Sequence, residues 1–375
     1  MDTTAPDTTA LDAAALDALI AELSGAGDPA GDALADELAA RPAHRLLLER
    51  GLREGLGALG EEAGAAPAVA AYLRELESAT DAAPDDLLDS ASLPYFTISP
   101  AAHVLDVGAG ALIDSYAPPH TAAVLVGTGE LTDHALDRLV STARWHGAAL
   151  VPGWLRRGEP GYVATAQVRL VHARVRRAVR RAAGGTGPAP LDQVDVARTW
   201  LDFTLVTMRA DAALGLDLTA AEQASLYRYW RHLGVLLGID ARLLAGAVDA
   251  RGAQLLAERI AAVTGPPGED SRTLTRAGLQ ALASALGDRS SLPRPLTLPL
   301  VRTVSRAMLG DALADALGVP RSPVAALALG PAVAAVRARR RLLRRRPDAW
   351  RRAVEANVAA TRAFALEEPE PAPAR

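Results

Sequence analysis

The sequence predicts an all-α fold, and three features point to it. Half of the 375 residues are apolar, with alanine and leucine dominant and aromatic residues at only 4%. Long stretches avoid the β-branched runs that strands favour. Apolar positions recur at helical spacing between short Gly- and Pro-containing breaks, with no repeated strand–helix alternation.

Taken in order, residues 1–9 read as a loose polar tail and 10–93 as an acidic N-terminal helical region. Residues 10–40 predict two short amphipathic helices, separated by a break at Ser24–Pro29. Further helices are expected over about 42–59 and 67–78, with a turn and helix start at Asp81–Pro84. Pro94 to Pro100 reads as an extended connector, because a proline disfavours helix in the residue before it. Val104-Leu-Asp-Val-Gly-Ala-Gly-Ala-Leu112 imitates a nucleotide-binding glycine motif. No repeated strand–helix units follow it, so its glycines are read as close helix packing. Residues 131–150 predict a helix with Thr132 as N-cap. A helix around 165–179 follows, then 195–214, and then a capping box at Thr219/Glu222 that opens the next helix and runs it to Gly238. Asp240 starts another, Gly265–Gly268 is a linker, and helices are expected at 272–286 and 297–317, the last interrupted near Gly310. Residues 321–365 form Arg-rich C-terminal helices, read as a solvated face opposite the acidic N-terminal region, and 366–375 a second tail.

Composition excludes several chemistries. There is no cysteine, hence no disulfide, thiolate iron ligand, iron–sulfur cluster or covalent haem attachment through Cys. There is no lysine either, which removes Schiff-base catalysis and a P-loop lysine. The net charge of −4 hides an asymmetry: residues 1–100 hold 19 acids and 5 arginines, a net of −14, leaving +10 for the rest. The acidic half argues against a nucleic-acid partner. No apolar run is long enough to span a bilayer, and no basic segment precedes an apolar stretch at the N-terminus, so the expected location is cytoplasmic.

The stretch with the most chemistry is Thr165 to Val179. At 100° per residue, Val168, Val175 and Val179 lie within about 60° of His172 on one side, and Arg169 and Arg176 within about 60° on the other. An imidazole, a greasy strip and two guanidinium groups suit a large planar apolar ligand with anionic edges. Haem is such a ligand: His172 would hold the iron, the valines would pack the macrocycle and the arginines would pair with the propionates. The preceding helix carries a polar ridge, His134, Arg138, Thr142 and His146.

Arg138-x-x-x-Thr142, followed 34 residues after Arg138 by His172 within Arg169-Leu-Val-His-Ala-Arg-Val-Arg176, resembles the rubber oxygenase (latex clearing protein) and MpaB-type oxygenase catalytic domain family. Leu214–Glu222, Trp230–Gly238 and more weakly Leu309–Leu317 extend the resemblance, which covers roughly residues 95–320. It implies an all-helical, globin-like core over 94–320 binding b-type haem non-covalently. His172 would be the iron ligand, Arg169 and Arg176 would contact or position the haem, and Arg138 and Thr142 would belong to its pocket. It also implies dioxygen chemistry on an apolar, isoprenoid-like molecule. The chain departs from the pattern at Ser141, where latex clearing proteins carry a lysine, and in Thr121-Ala-Ala-Val-Leu125, where no acid appears. These departures move the expected substrate from a polymer to a small apolar natural-product intermediate. Two alternatives stand beside an oxygenase: redox-neutral haem chemistry, such as cyclisation, rearrangement or dehydration, and a non-catalytic helical binding protein.

Overall fold

In a computed structural model, residues 12–127, 135–184, 189–289 and 293–367 are described, the side chains of 135–138, 289 and 294 excepted. The expected Thr132 cap and His134 lie outside the described residues. Every described element is helical. The N-terminal layer comprises α1 (Ala13–Leu23), α2 (Pro29–Ala40), α3 (His44–Glu54), α4 (Pro67–Asp81) and α5 (Asp85–Ser90). Asp12 and Asp28 cap α1 and α2 by accepting from the Ala15 and Gly31 amides, and Pro29 occupies the first turn of α2, where its missing N–H is no loss.

The central elements are α6 (Pro100–Leu105, continuing to Ser115), α7 (Pro119–Gly127), α8 (Ala135–Leu150), α9 (Pro160–Ala182) and α10 (Gln193–Ala213). They lead to α11 (Ala220–Leu236), α12 (Ala250–Thr264), α13 (Glu269–Arg289) and α14 (Arg294–Leu309). A short α15 (Asp311–Ala316) precedes the C-terminal pair, α16 (Pro323–Arg344) and α17 (Pro347–Leu366). The expected capping box forms between Thr219 and Glu222, and a second one joins Asp192 and Asp195. One apolar core joins α1–α4 to α9–α12 through Leu34, Tyr72, Ala166, Trp200 and Tyr229. A second gathers Ile113, Tyr116, Leu274, Leu282, Val301 and Met308 between α6, α13 and α14. Each fully buried Leu or Ile contributes roughly 1.5–3 kcal/mol.

Three expectations are corrected. The connector at 94–100 is a short 3-10 turn, Leu93–Thr97, with only Ile98 and Ser99 extended, because Pro94 sits in the first turn where it needs no partner. The helix expected at 195–214 is broken in register by a π-helical turn at Asp202–Val206, and a second π turn occupies Asp106–Ala111 within α6. The glycines of that second turn do pack closely, Gly108 against Leu282 and Gly110 against Met308 and Ala210. The C-terminal arginines do present a solvated face, Arg339, Arg341, Arg345 and Arg346 being exposed, but the more buried ones turn to partners outside the acidic N-terminal helices. Arg337 pairs with Asp217 and Arg344 with Glu222, while buried Arg340 bonds Thr97 and lies 5.0 Å over the Trp350 ring.

Candidate functional site

The Arg138, Thr142 and His172 positions come together on one helix hairpin. Nine residues connect α8 to α9, and the two helices pack against each other along their length. The register is fixed at two points. A Cβ on Gly161 would lie 2.4 Å from the Ala148 carbonyl oxygen, so only glycine allows this approach, and the Trp145 indole N–H donates to Thr165 at 3.4 Å. Counting back along α8 and forward along α9 from that pair, the Thr142 turn comes level with Val168 and the Arg138 turn level with His172. Thr142, Val168, His172 and Val175 are all half-buried, Val168 packs on the first core, and Ser141 is exposed.

Arg169 and Arg176 are placed differently from the expectation that they present free charge to a ligand. Both are 2% exposed and face the N-terminal layer. Arg169 donates to both carboxylate oxygens of Asp28 and to Glu75, each at 2.7 Å, and its guanidinium lies 5.0 Å over the Tyr72 ring. Arg176 donates to Asp32 at 2.6 Å and to the Leu191 carbonyl at 3.2 Å. Gly238, at φ +83°, lets the end of α11 close over this pair, since a Cβ there would meet Arg169 Nε at 2.5 Å. The two guanidinium groups therefore hold the His172 helix against α2.

On the opposite side of α8 lies a cavity of about 350 Å³. Its walls are apolar: Val107, Gly108 and Leu112 of α6, Ala143 of α8, Leu282 and Leu286 of α13, and Phe364 of α17. The polar side chains that reach it include Tyr95, His103 and His146. None of Thr142, Val168, Arg169, His172, Val175 and Arg176 lines it. Sequence reading had placed His146 on the polar ridge but had not singled out Tyr95 or His103.

These three belong to a buried polar system. The His103 Nε2–H donates to the Tyr95 carbonyl at 3.0 Å, and the imidazole stacks on the Tyr95 ring at 3.6 Å. Burial lowers the His103 pKa, and its Nδ1 lies 2.7 Å from the Asp106 carboxyl group. Burial pushes the Asp106 pKa up to about 7. Asp211 stands beside it, pushed well above the carboxylate range by burial and by the Asp106 charge. One ligand atom from each of His103, Asp106 and Asp211 lies within 4.8 Å of the others, close enough to gather a cation. His146 is 2% exposed, ringed by Tyr95, Phe203 and Trp230, and burial lowers its pKa to about 3. A buried acid also reaches the Thr121 segment from another helix: Asp195 of α10 accepts from Thr121 Oγ1 at 3.4 Å.

The family model described as "ER-bound oxygenase mpaB/B'/Rubber oxygenase, catalytic domain" matches residues 93–345, which include every site residue named above but Phe364, Tyr72 and the N-terminal acids. The chain belongs to this oxygenase family. A rubber oxygenase of Streptomyces sp. (strain K30) is 28% identical over 196 residues, covering 50% of this chain and 45% of the relative, so the match spans less than half of that protein. The structure of latex clearing protein LCP in the closed state superposes with a TM-score of 0.62 at 18% identity, covering 91% of this chain and 90% of that one, and shares its fold. No single described helix is long and apolar enough to cross a membrane.

The hairpin residues fit a haem-type group by donor chemistry. His172, a half-buried imidazole on a 23-residue helix, is the side chain that would hold the iron, and Val168 and Val175 on its flank would supply an apolar wall.

Proposed function

We propose that this oxygenase-family chain is a haem b-dependent enzyme that acts on an apolar small molecule, with His172 as the iron ligand. The observation that carries the reading is the hairpin register: it sets the Arg138 turn level with His172 and the Thr142 turn level with Val168, inside the matched family region. Bound haem with a histidine ligand would supply dioxygen activation. The chain's own residues do the rest. Thr142, half-buried on the facing helix, can donate one hydrogen bond, and an arginine at 138 can stabilise developing negative charge. Val168 and Val175 exclude water from the imidazole's flank. Arg169 and Arg176 act at one remove: neutralised by Asp28, Glu75 and Asp32, they fix the position of the helix that carries His172. The test is reconstitution of the purified chain with haemin, followed by oxygen uptake with short isoprenoid substrates. A Soret band and substrate-dependent uptake are the expected result. A chain that stays colourless with excess haemin overturns the proposal.

A further inference from the structure

The arginine-rich helix α16 takes no part in the proposed function, and its two faces are unlike. The inner face is committed to the fold. Arg337 pairs with Asp217 and Arg344 with Glu222, and buried Arg340 bonds Thr97. Gly215, at φ +78°, lets the helix come close on this side, since a Cβ there would lie 2.7 Å from the Val333 carbonyl oxygen. At 100° per residue, Ala325, Leu329 and Val333 share this face, and all three are half-buried.

The outer face is apolar and open. Val324, Leu327, Pro331, Ala334, Ala338 and Leu342 lie within about 60° of one line along the helix. All are exposed, Val324 by 80%, Leu327 by 81% and Leu342 by 60%. No charged residue occurs from Pro323 to Val336, and α16 contains no acidic residue. A single exposed leucine is ordinary, but a continuous exposed apolar strip marks an interaction site. Arg339 and Arg341 flank the strip, about 80° to either side of its midline, and Arg345 and Arg346 follow at its end. These four are exposed, and none has an ion-pair partner among the described residues.

We propose that α16 docks the chain on the surface of an anionic phospholipid bilayer. Val324, Leu327 and Leu342 enter the boundary between headgroups and acyl chains, and Arg339, Arg341, Arg345 and Arg346 meet the lipid phosphates. The charge-free run 323–336 makes about 21 Å of helix at 1.5 Å per residue, too short to cross a hydrocarbon core of roughly 30 Å, so the helix lies in the surface. A second copy seated symmetrically would set the free arginines against each other or against an apolar run with no acid to offer. A nucleic-acid backbone would pair the arginines and leave Val324 and Leu327 in water. The inference goes beyond the proposed function and does not rest on it.

The experiment uses the full chain and two kinds of vesicle, phosphatidylcholine alone and phosphatidylcholine with a quarter of phosphatidylglycerol. The mixed vesicles should carry the chain upward in a flotation gradient, and the neutral ones should bind it at least about tenfold more weakly. Leu327→Glu puts a carboxylate in the middle of the strip and should weaken binding to the mixed vesicles by about tenfold or more. Arg339→Gln with Arg341→Gln should weaken it about 25-fold, at about fivefold for each basic residue. Leu46→Glu, at a comparably open position on α3, should change nothing. Circular dichroism establishes that each variant is folded. The chain has no cysteine, so Leu327→Cys takes a single environment-sensitive fluorophore. Its emission should shift to the blue on the mixed vesicles and stay unshifted without them at every protein concentration. A chain that stays off the mixed vesicles overturns the proposal, as does binding that survives Leu327→Glu. A blue shift that grows with protein concentration in the absence of vesicles would give the face to a second copy instead. Retention by duplex DNA that the double arginine variant loses and Leu327→Glu keeps would give it to a nucleic acid. No step requires haem, so a chain that binds vesicles but stays colourless with haemin would refute the proposed function and leave this surface standing.

Discussion

Arg169 donates two parallel hydrogen bonds of 2.7 Å to the carboxylate of Asp28, 141 residues earlier in the chain, and both side chains are buried. Such a fork-on-fork pair is geometrically specific, but its two charges stabilise only while they have each other. Burial works against the Asp28 charge, and the hydrogen bonds and charge of Arg169 outweigh it, leaving the Asp28 pKa below its ordinary value. Asp28→Asn should therefore cost up to roughly 3–5 kcal/mol, because it leaves the buried guanidinium with Glu75, which is half exposed, as its remaining carboxylate. Arg169→Met combined with Asp28→Leu should lose much less. Urea unfolding of the two variants checks this, and a double variant as unstable as the single one would show that the pair matters for something other than charge compensation.

The acid pair predicts a pH dependence. Asp106 has its folded pKa raised from 3.8 to about 7, so its neutral form is the one the fold favours. The associated stability is fully present below pH 3.8 and is lost as the pH rises through about 7. A shift of this size corresponds to at most about 4 kcal/mol. Asp106→Asn cannot ionise and still offers an N–H to His103 Nδ1, so its stability relative to wild type should rise between pH 5 and pH 8. Asp211, His103 and Arg340 bear on the same groups and remain in both proteins. His146, with a pKa lowered from 6.5 to about 3, destabilises both on the acid side alike. Unfolding midpoints at pH 5 and 8 decide the matter: an unchanged difference between the two proteins would mean that Asp106 is not neutral in the fold.

How far the sequence could be read follows from where each signal lies. Caps and breaks were legible because they are local: Thr219/Glu222 needs only three residues of spacing to declare itself. The Arg138–Thr142–His172 constellation was legible as spacing on two consecutive helices, which a short loop returns to one another. Arg169 and Arg176 were legible as positions beside His172 but not as ion pairs, since Asp28 and Asp32 lie on a distant element whose direction no local pattern fixes. The same holds for His103, Asp106 and Asp211, which look like ordinary helix residues until two π turns, undetectable by a 3.6-residue period, rotate Asp106 and Asp211 into one another. The charge asymmetry was visible, but its resolution was not: the N-terminal acids meet arginines of α9 and the α8–α9 loop, as Asp36 meets Arg177 and Asp81 meets Arg157.

The proposed iron ligand makes a sharp spectroscopic prediction. His172 sits on a helix held by Arg169 and Arg176, so removing its imidazole should leave the helix in place. His172→Ala should lose the Soret band or shift it strongly, with the far-ultraviolet dichroism of an intact helical protein. Arg176→Ala, by contrast, should bind haem with the same spectrum but release it faster, because what is lost is the helix's anchorage to Asp32. Haem transfer to an acceptor globin measures that rate. A His172→Ala protein with an unaltered spectrum would move the ligand elsewhere.

The last prediction concerns the chemistry at the Arg138 and Thr142 turns. Without a cysteine, the chain has no electron-rich thiolate ligand to favour O–O cleavage, and without a lysine it has no ammonium to place over the metal. Ser141, at the position of the family's lysine, is exposed, and Asp195, the acid nearest the Thr121 segment, is occupied in capping α10. A strong base positioned for deprotonating a substrate carbon is therefore absent from the described part of this hairpin, and polar assistance falls to Thr142 as a donor and Arg138 as a cation. Arg138→Ala and Thr142→Ala should keep haem and lose turnover by about a hundredfold to a thousandfold, the range expected for removing one preorganised donor. The measurement is product formation in air against strict anaerobiosis, alongside the Soret band. Turnover that needs air and collapses in both variants agrees with the oxygenase reading. Turnover at full rate without oxygen, with ferric protein, would replace it by a redox-neutral reaction in which the same two residues stabilise charge on the substrate itself.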